Sequence, residues 1–238
     1  MLGNPVMLID PDGRAPEDII LNNCNCGNVE RYTQAINKNF NGQFVAYTEG
    51  YGDGQVRLRI KATEGGGDLS KLSAGQQAFY NDLNNVAEVQ SGEVHFDIVS
   101  GDGDVSVGKY DSYPAKIDIA DIEQFPVLDG SKSIQAAGTQ AGKIVHETTE
   151  QYFKQVVDEN RSASAKGFNY NHSGDTGGRY GQDKGDSGGA TGRENSVNGN
   201  YRIGDFLYQN PQTGSKSRQS YRSGQNGVII VSETQKQN

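Results

Sequence analysis

The chain has 238 residues and a mass of 25.7 kDa; 33% of the residues are hydrophobic, the mean hydropathy is −0.72 and tryptophan is absent. Glycine supplies 32 positions, about twice its usual share of roughly 7%. This composition excludes a membrane span, a coiled coil and a tightly packed helical bundle. The formal net charge of −8 argues against nucleic-acid binding, which needs dense Lys and Arg.

The first residues contain a short motif. Residues 4–13 read Asn-Pro-Val-Met-Leu-Ile-Asp-Pro-Asp-Gly, which predicts an apolar strand followed by a turn. The segment resembles the end of the RHS-repeat core regions of bacterial polymorphic toxins. That resemblance implies that residues 1–22 are a core remnant with a linker, and that residues 23–238 are a toxin domain. It also implies delivery to a target cell as part of a larger secreted effector, and a cognate immunity protein as partner.

Two features near this segment are less informative. No signal peptide is visible at the start of the chain, because a charged region and a sustained apolar stretch are both missing. The two cysteines, Cys24 and Cys26, are too close for an unstrained disulfide and have no nearby partners for a zinc site. We therefore interpret them as incidental thiols.

The first half of the domain shows β and helical periodicity in turn. Alternating β-formers predict a hairpin from strands 43–47 and 55–63. Apolar residues at helical spacing predict a helix over 70–90, with Ser70 or Ser73 as its N-cap. A second hairpin, 93–100 with 104–109, and a strand over 115–122 are predicted next.

The second half begins with a long amphipathic helix, predicted over 133–157. Glycines crowd residues 174–192, which indicates a long flexible loop. A last strand is predicted over 227–232. Strands followed by helices in this order predict one α+β domain.

The long helix carries the residues with most chemical potential, His146-Glu147-Thr148-Thr149-Glu150. At ~100° per residue, His146 and Glu150 lie within ~40° of each other and Glu147 lies ~60° further round. The apolar residues of the helix occupy another arc and predict its core face. Two ligands one turn apart with a carboxylate beside them match the geometry of a metal-binding helix. A solvated charged face is the alternative.

The motif resembles the HExxH helix of zinc metallopeptidases of the zincin fold, with Glu150 in place of the second histidine. The resemblance implies a mixed or antiparallel sheet packed against a backing helix and an active-site helix. It also implies one zinc ion held by His146, Glu150 and a third ligand, for which His172 is the candidate, with Glu147 as general base. Because carboxylate oxygen also suits harder cations, the identity of the metal stays open.

Further candidates surround this set. Glu194 is an alternative ligand or a second carboxylate that orients a histidine, and Tyr170 or Tyr180 could stabilise an oxyanion. In zincins a strand before the active helix aligns the peptide, and residues 116–122 occupy that place in the sequence. His95 alternates with Val94 and Phe96, which predicts a half-exposed strand histidine.

The leading hypothesis is therefore a peptidase toxin acting on a protein or peptide substrate, with no nucleic acid and no membrane span involved. A metal-dependent nuclease is one alternative, because residues 161–238 hold 10 Lys and Arg against 6 Asp and Glu. The other is a non-enzymatic binding module whose His-Glu face is only solvated.

Overall fold

A computed structural model of the chain describes residues 18–22, 26–88, 92–109, 112–157, 189–204, 207–224 and 227–236. Within these ranges the protein is a mixed α+β fold with two sheets. The helices are α1 (Cys26–Asn37), α2 (Ala74–Glu88), α3 (Ile119–Ile122), α4 (Gln140–Tyr152) and α5 (Ala190–Asn198). The strands are β1 (Asp18–Asn22), β2 (Phe44–Gly52), β3 (Gln55–Ala62), β4 (Glu93–Val99), β5 (Gly108–Lys109), β6 (Ala115–Asp118), β7 (Tyr201–Gly204), β8 (Leu207–Gln209), β9 (Lys216–Ser223) and β10 (Ile229–Lys236).

The larger sheet has six strands in the order β2-β3-β1-β4-β6-β5. Strand β1 pairs in parallel with β4 and antiparallel with β3, and β4 pairs in parallel with β6. The antiparallel strand β5 forms the outer edge beside β6. Residues 18–22, which the sequence assigned to the linker, thus form an interior strand, and the folded unit includes them. Residues 1–17 lie outside the described ranges, so the RHS remnant stays a prediction.

One face of this sheet forms the main core. Its apolar side chains alternate along β1, β4 and β6, as the period of two along a strand requires. They join buried apolar residues of α1, α2 and α4 in a single cluster. The helices therefore pack against one side of the sheet, and the other side carries charged and polar residues such as Arg57, Arg59 and His95 around the buried Ile20.

The smaller sheet is antiparallel, in the order β10-β9-β8-β7. It follows α5 directly, and the buried Tyr208 of β8 lies at its centre. One link between the smaller sheet and the rest of the protein is made by Asp121 of α3. Its carboxylate accepts a hydrogen bond from the Ile229 amide of β10 (2.8 Å). In the described part of the chain, no helix is both long and apolar enough to cross a membrane.

Several local predictions are confirmed. The hairpin of residues 43–63 is formed by β2 and β3. Helix α2 begins after Ser73, which exchanges two hydrogen bonds with Gln76 in a capping box. His95 is half-buried on β4, and its ring nitrogen lies 3.0 Å from Glu93. Cys26, at the start of α1, is a free and exposed thiol; Cys24 lies outside the described residues, so the interpretation of both thiols as incidental stays a prediction.

Three other local predictions are wrong. Residues 93–100 and 104–109 do not pair with each other, because β4 pairs in parallel with β6, which separates it from β5. Strand 115–122 ends at Asp118, whose side chain accepts two backbone N–H groups and begins α3. The helix predicted over 133–157 begins only at Gln140, capped by Thr139, and continues after Tyr152 as a π-helical turn, Phe153–Val157.

Candidate metal centre

Helix α4 places its polar face inside the protein. The apolar face contributes Ala141, Ile144 and Val145 to the main core, as the periodicity predicted. The opposite side packs beneath α5, so the side chains of His146 and Glu150 are only 5% and 3% exposed. This burial excludes the solvated face that the sequence allowed as an alternative.

Three potential ligands meet on this helix. One ligand atom from each of His146, Glu147 and Glu150 lies within 4.8 Å of the others. The Nε2 atom of His146 is 3.8 Å from a carboxylate oxygen of Glu150. Two ligands of a tetrahedral zinc ion, each at about 2.1 Å from the metal, lie about 3.4 Å apart. A small side-chain rotation would therefore bring this pair to a zinc-binding distance.

The other nitrogen of the histidine contacts a third carboxylate, that of Glu194. Glu194 of α5 is fully buried, and its Oε2 atom lies 3.0 Å from Nδ1 of His146. Metal-binding histidines commonly donate their second ring N–H to a carboxylate, which fixes the tautomer and leaves the other nitrogen for the metal. Glu194 thus lies on the Nδ1 side of His146 and is not among the three grouped residues.

Glu194 is also the centre of a buried ion network. Lys143 Nζ donates to its Oε1 atom (2.7 Å), and Arg202 Nη1 donates to its Oε2 atom (3.0 Å). Burial alone would raise the pKa of Glu194, but Lys143 and Arg202 hold this pKa well below its usual range. Burial lowers the pKa of His146 to about 4 and that of Lys143 to about 8. The histidine is therefore neutral at pH 7, which is the form that binds metals.

Glu147 occupies a different environment from the other two grouped residues. It is partly exposed, whereas His146 and Glu150 are buried. Its carboxylate lies against the backbone of Gly108 in the edge strand β5, where a Cβ atom would overlap it. Burial raises the pKa of Glu147 to about 7, with the positive charge of Lys143 acting in the opposite direction.

The turn that leads to Gly108 is strained. Val107 has a φ of 66°, which is unusual for a β-branched residue. The Gly108 amide bonds to the Ser106 carbonyl across it (2.8 Å), while Val107 donates to Asp121 and accepts from the Asp118 amide. These contacts hold the strained turn in place. Together they fix the approach of β5 to Glu147.

The structure brings together four of the seven residues singled out in the sequence: His146, Glu147, Glu150 and Glu194. His172, Tyr170 and Tyr180 lie outside the described residues, as do residues 174–188 of the predicted glycine-rich loop. The loop prediction is wrong for residues 190–192, because they form the first turn of α5.

The strand expected to align a peptide is also corrected. Residues 115–118 form β6, which is paired on both sides by β4 and β5, and residues 119–122 form α3. The edge of the sheet nearest Glu147 is instead β5.

Sequence reasoning missed three members of the site. Lys143 had a local signal, because it lies one turn before His146 and Glu147 on the same helix. Arg202 and Tyr208 had none, since they reach Glu194 from the smaller sheet, whose strands β7 and β8 were not predicted. Tyr208 donates its hydroxyl to Glu194 Oε1 (3.1 Å).

The donor set fits a divalent metal. Imidazole nitrogen and carboxylate oxygens are zinc ligands, and the histidine that offers Nε2 has its Nδ1 atom against a buried carboxylate. His146, Glu147 and Glu150 could therefore hold a metal ion. In comparisons with protein-family models, curated proteins and solved structures, the chain has no match.

Proposed function

We propose that this protein is a zinc-dependent peptidase. The observation that carries the proposal is the two-sided environment of His146, with Nδ1 at 3.0 Å from Glu194 and Nε2 facing Glu150 at 3.8 Å. His146 and Glu150 would hold the metal, and His172, outside the described residues, is the proposed third ligand. When bound, zinc supplies the Lewis acidity that polarises a carbonyl and makes water nucleophilic near neutral pH.

Glu147 is the proposed general base. Glu147 is the one partly exposed member of the three grouped residues, and its raised pKa, about 7, suits proton transfer near neutral pH. It would take the proton of the attacking water and pass it to the leaving amine. The edge strand β5 beside it supports a peptide substrate, because an extended peptide can pair with an exposed sheet edge. Tyr170 and Tyr180 remain proposed stabilisers of the oxyanion.

The first experiment separates the ligand from the base. After zinc loading and removal of free metal, Glu147→Gln should retain zinc and lose hydrolysis of a peptide library, whereas His146→Ala should lose both. Elemental analysis and mass spectrometry of the peptides provide the measurements. A wild-type protein that retains no zinc would refute the proposal. Nicking of plasmid DNA without peptide cleavage would instead favour the nuclease hypothesis.

A second experiment tests the position of Glu147. Gly108→Ala places a methyl group where the Glu147 carboxylate lies, so it should reduce kcat by about 100-fold through misplacement of the base. Zinc content should be unchanged. Gly50→Ala, in β2, is a suitable control, because a Cβ there meets nothing within 4 Å. Equal activity of both variants would contradict the assigned position of Glu147.

The biological setting is a separate proposal. The segment at residues 4–13 supports a toxin domain delivered as part of an RHS-repeat effector, with an immunity protein that inhibits it. Expression of the chain in bacteria should arrest growth, and Glu147→Gln should remove the toxicity. Undiminished toxicity of that variant would separate the toxin proposal from the peptidase proposal.

A further inference from the structure

Four side chains surround the Glu194 carboxylate. Its Oε1 atom accepts hydrogen bonds from Lys143 Nζ (2.7 Å) and the Tyr208 hydroxyl (3.1 Å). Its Oε2 atom accepts one from Arg202 Nη1 (3.0 Å) and lies 3.0 Å from His146 Nδ1. An ionised carboxylate has about four lone-pair sites. The three hydrogen bonds, with His146 Nδ1 close by, hold the carboxylate in one orientation.

We infer that Lys143, Arg202 and Tyr208 are positioning residues for zinc. They orient Glu194 so that it accepts the Nδ1–H of His146, which leaves Nε2 as the metal-binding nitrogen. The inference rests on the proposed function, because it assigns these residues a part in metal binding at that site.

The position of one proton on His146 decides which ring nitrogen can bind the metal. A neutral imidazole carries one N–H, and the hydrogen bond made by one nitrogen determines which nitrogen is left with a free lone pair. Lys143 and Tyr208 can only approach Oε1 as donors, and Tyr208 is itself held by Lys143 (2.9 Å). Oε2 is thereby kept towards the histidine, and it stays an acceptor because Arg202 Nη1 donates to it.

The positioning residues come from separate parts of the fold. Lys143 is on α4 with the histidine, whereas Arg202 and Tyr208 are on β7 and β8 of the smaller sheet. Their Glu194 partner is on α5. The smaller sheet thus acts on the metal-binding nitrogen through one carboxylate, without supplying a ligand from these strands.

Zinc affinity of the 238-residue chain is the first test. Tyr208→Phe and Arg202→Gln, titrated against a chelator of known affinity, should each weaken zinc binding about 10- to 100-fold. Arg193→Gln is the matched control, because Arg193 is next to Glu194 on α5 but forms its ion pair with Asp82 (3.3 Å). That control should bind zinc as the wild type does.

The tautomer of His146 is the second test, measured by ¹⁵N NMR of the metal-free protein. The wild type should carry its proton on Nδ1. Glu194→Gln replaces the ionised carboxylate beside Nδ1 with a neutral amide, and its NH₂ group cannot accept a proton from the histidine. The preference for the Nδ1–H tautomer should therefore weaken, and zinc binding should fall further than in Tyr208→Phe.

The outcomes are distinguishable from those that test the peptidase. A wild-type protein that binds no zinc overturns the proposed function and this inference together. If the wild type binds zinc, and folded Tyr208→Phe and Arg202→Gln bind it with affinities within about twofold of the wild type, this inference alone is overturned. An Nε2–H tautomer of His146 in the wild type would also overturn this inference alone. If Arg202→Gln does not fold, Tyr208→Phe decides, since it removes one hydroxyl only.

Discussion

Adjacent residues of α5 take part in two ion pairs, one partly buried and one fully buried, with opposite electrostatic outcomes. Among the described residues, Arg193 is the one cation paired with Asp82, at 3.3 Å, and burial raises the pKa of Asp82 to about 6 despite that cation. Glu194 is more deeply buried, yet its pKa is held well below its usual range by Lys143 and Arg202. Burial therefore does not determine the sign of the shift. The number and closeness of the cationic donors determine the sign, because each cation compensates part of the cost of desolvating the carboxylate.

The largest expected effect comes from removing charge at the centre of the larger network. Glu194→Gln keeps the volume of the side chain and leaves Lys143 and Arg202 without their carboxylate. Uncompensated buried charge costs about 3–5 kcal/mol, so the free energy of unfolding at pH 7, measured by urea denaturation, should fall by that amount.

Asp82→Asn is the matched change in the other pair. It removes a carboxylate whose ionisation burial already disfavours, so it should leave the free energy of unfolding unchanged or increase it. An equal decrease in the free energy of unfolding for Glu194→Gln and Asp82→Asn would contradict the distinction between the two ion pairs.

The pH dependence of stability should sharpen the same comparison. The folded pKa of Asp82, about 6, lies above its ordinary value of 3.8. Between these values the folded protein binds more protons than the unfolded chain, so this group's contribution to stability falls as pH rises through about 4 to 6. The unfolding free energy of Asp82→Asn minus that of the wild type should thus increase across this window, by about 2 kcal/mol. A difference independent of pH would contradict the raised pKa of Asp82.

Helices α4 and α5 differ in how far the sequence predicts them. Helix α4 was predictable because Ala141, Ile144 and Val145 recur at helical spacing, and that spacing also placed His146 and Glu150 on one side. Its start was misplaced because residues 133–138 make their backbone hydrogen bonds elsewhere: the Gln135 amide, for example, donates to the Asn198 carbonyl (2.7 Å).

Helix α5 carries almost no such signal. Its residues, ATGRENSVN, include two apolar side chains, Ala190 and Val197, and the side that packs on α4 is polar. Asn198, for example, accepts a hydrogen bond from the Thr139 hydroxyl at 2.8 Å. Hydrogen bonds between residues so far apart in the chain replace apolar burial, and no periodic pattern records them. Glu194 could therefore be suggested as a partner of a histidine, but its cationic partners could not.

The smallest expected effect concerns one donor of the Glu194 network. Tyr208→Phe removes the hydroxyl that donates to Glu194, while an aromatic ring stays near the Lys143 ammonium, whose Nζ lies 5.6 Å from the Tyr208 ring centre. A hydrogen bond to a charged group contributes about 1.5–3 kcal/mol; because Lys143 and Arg202 still compensate the carboxylate, we expect a loss at the lower end, about 1–2 kcal/mol in the free energy of unfolding. Tyr47→Phe is the control, since the Tyr47 hydroxyl bonds to Glu49 at an exposed position (3.2 Å), and its loss should stay below about 0.5 kcal/mol. A loss for Tyr208→Phe as large as that for Glu194→Gln would mean that the hydroxyl, rather than the two cations, keeps Glu194 ionised, and the contrast with Asp82 would then be one of hydrogen bonding instead of charge.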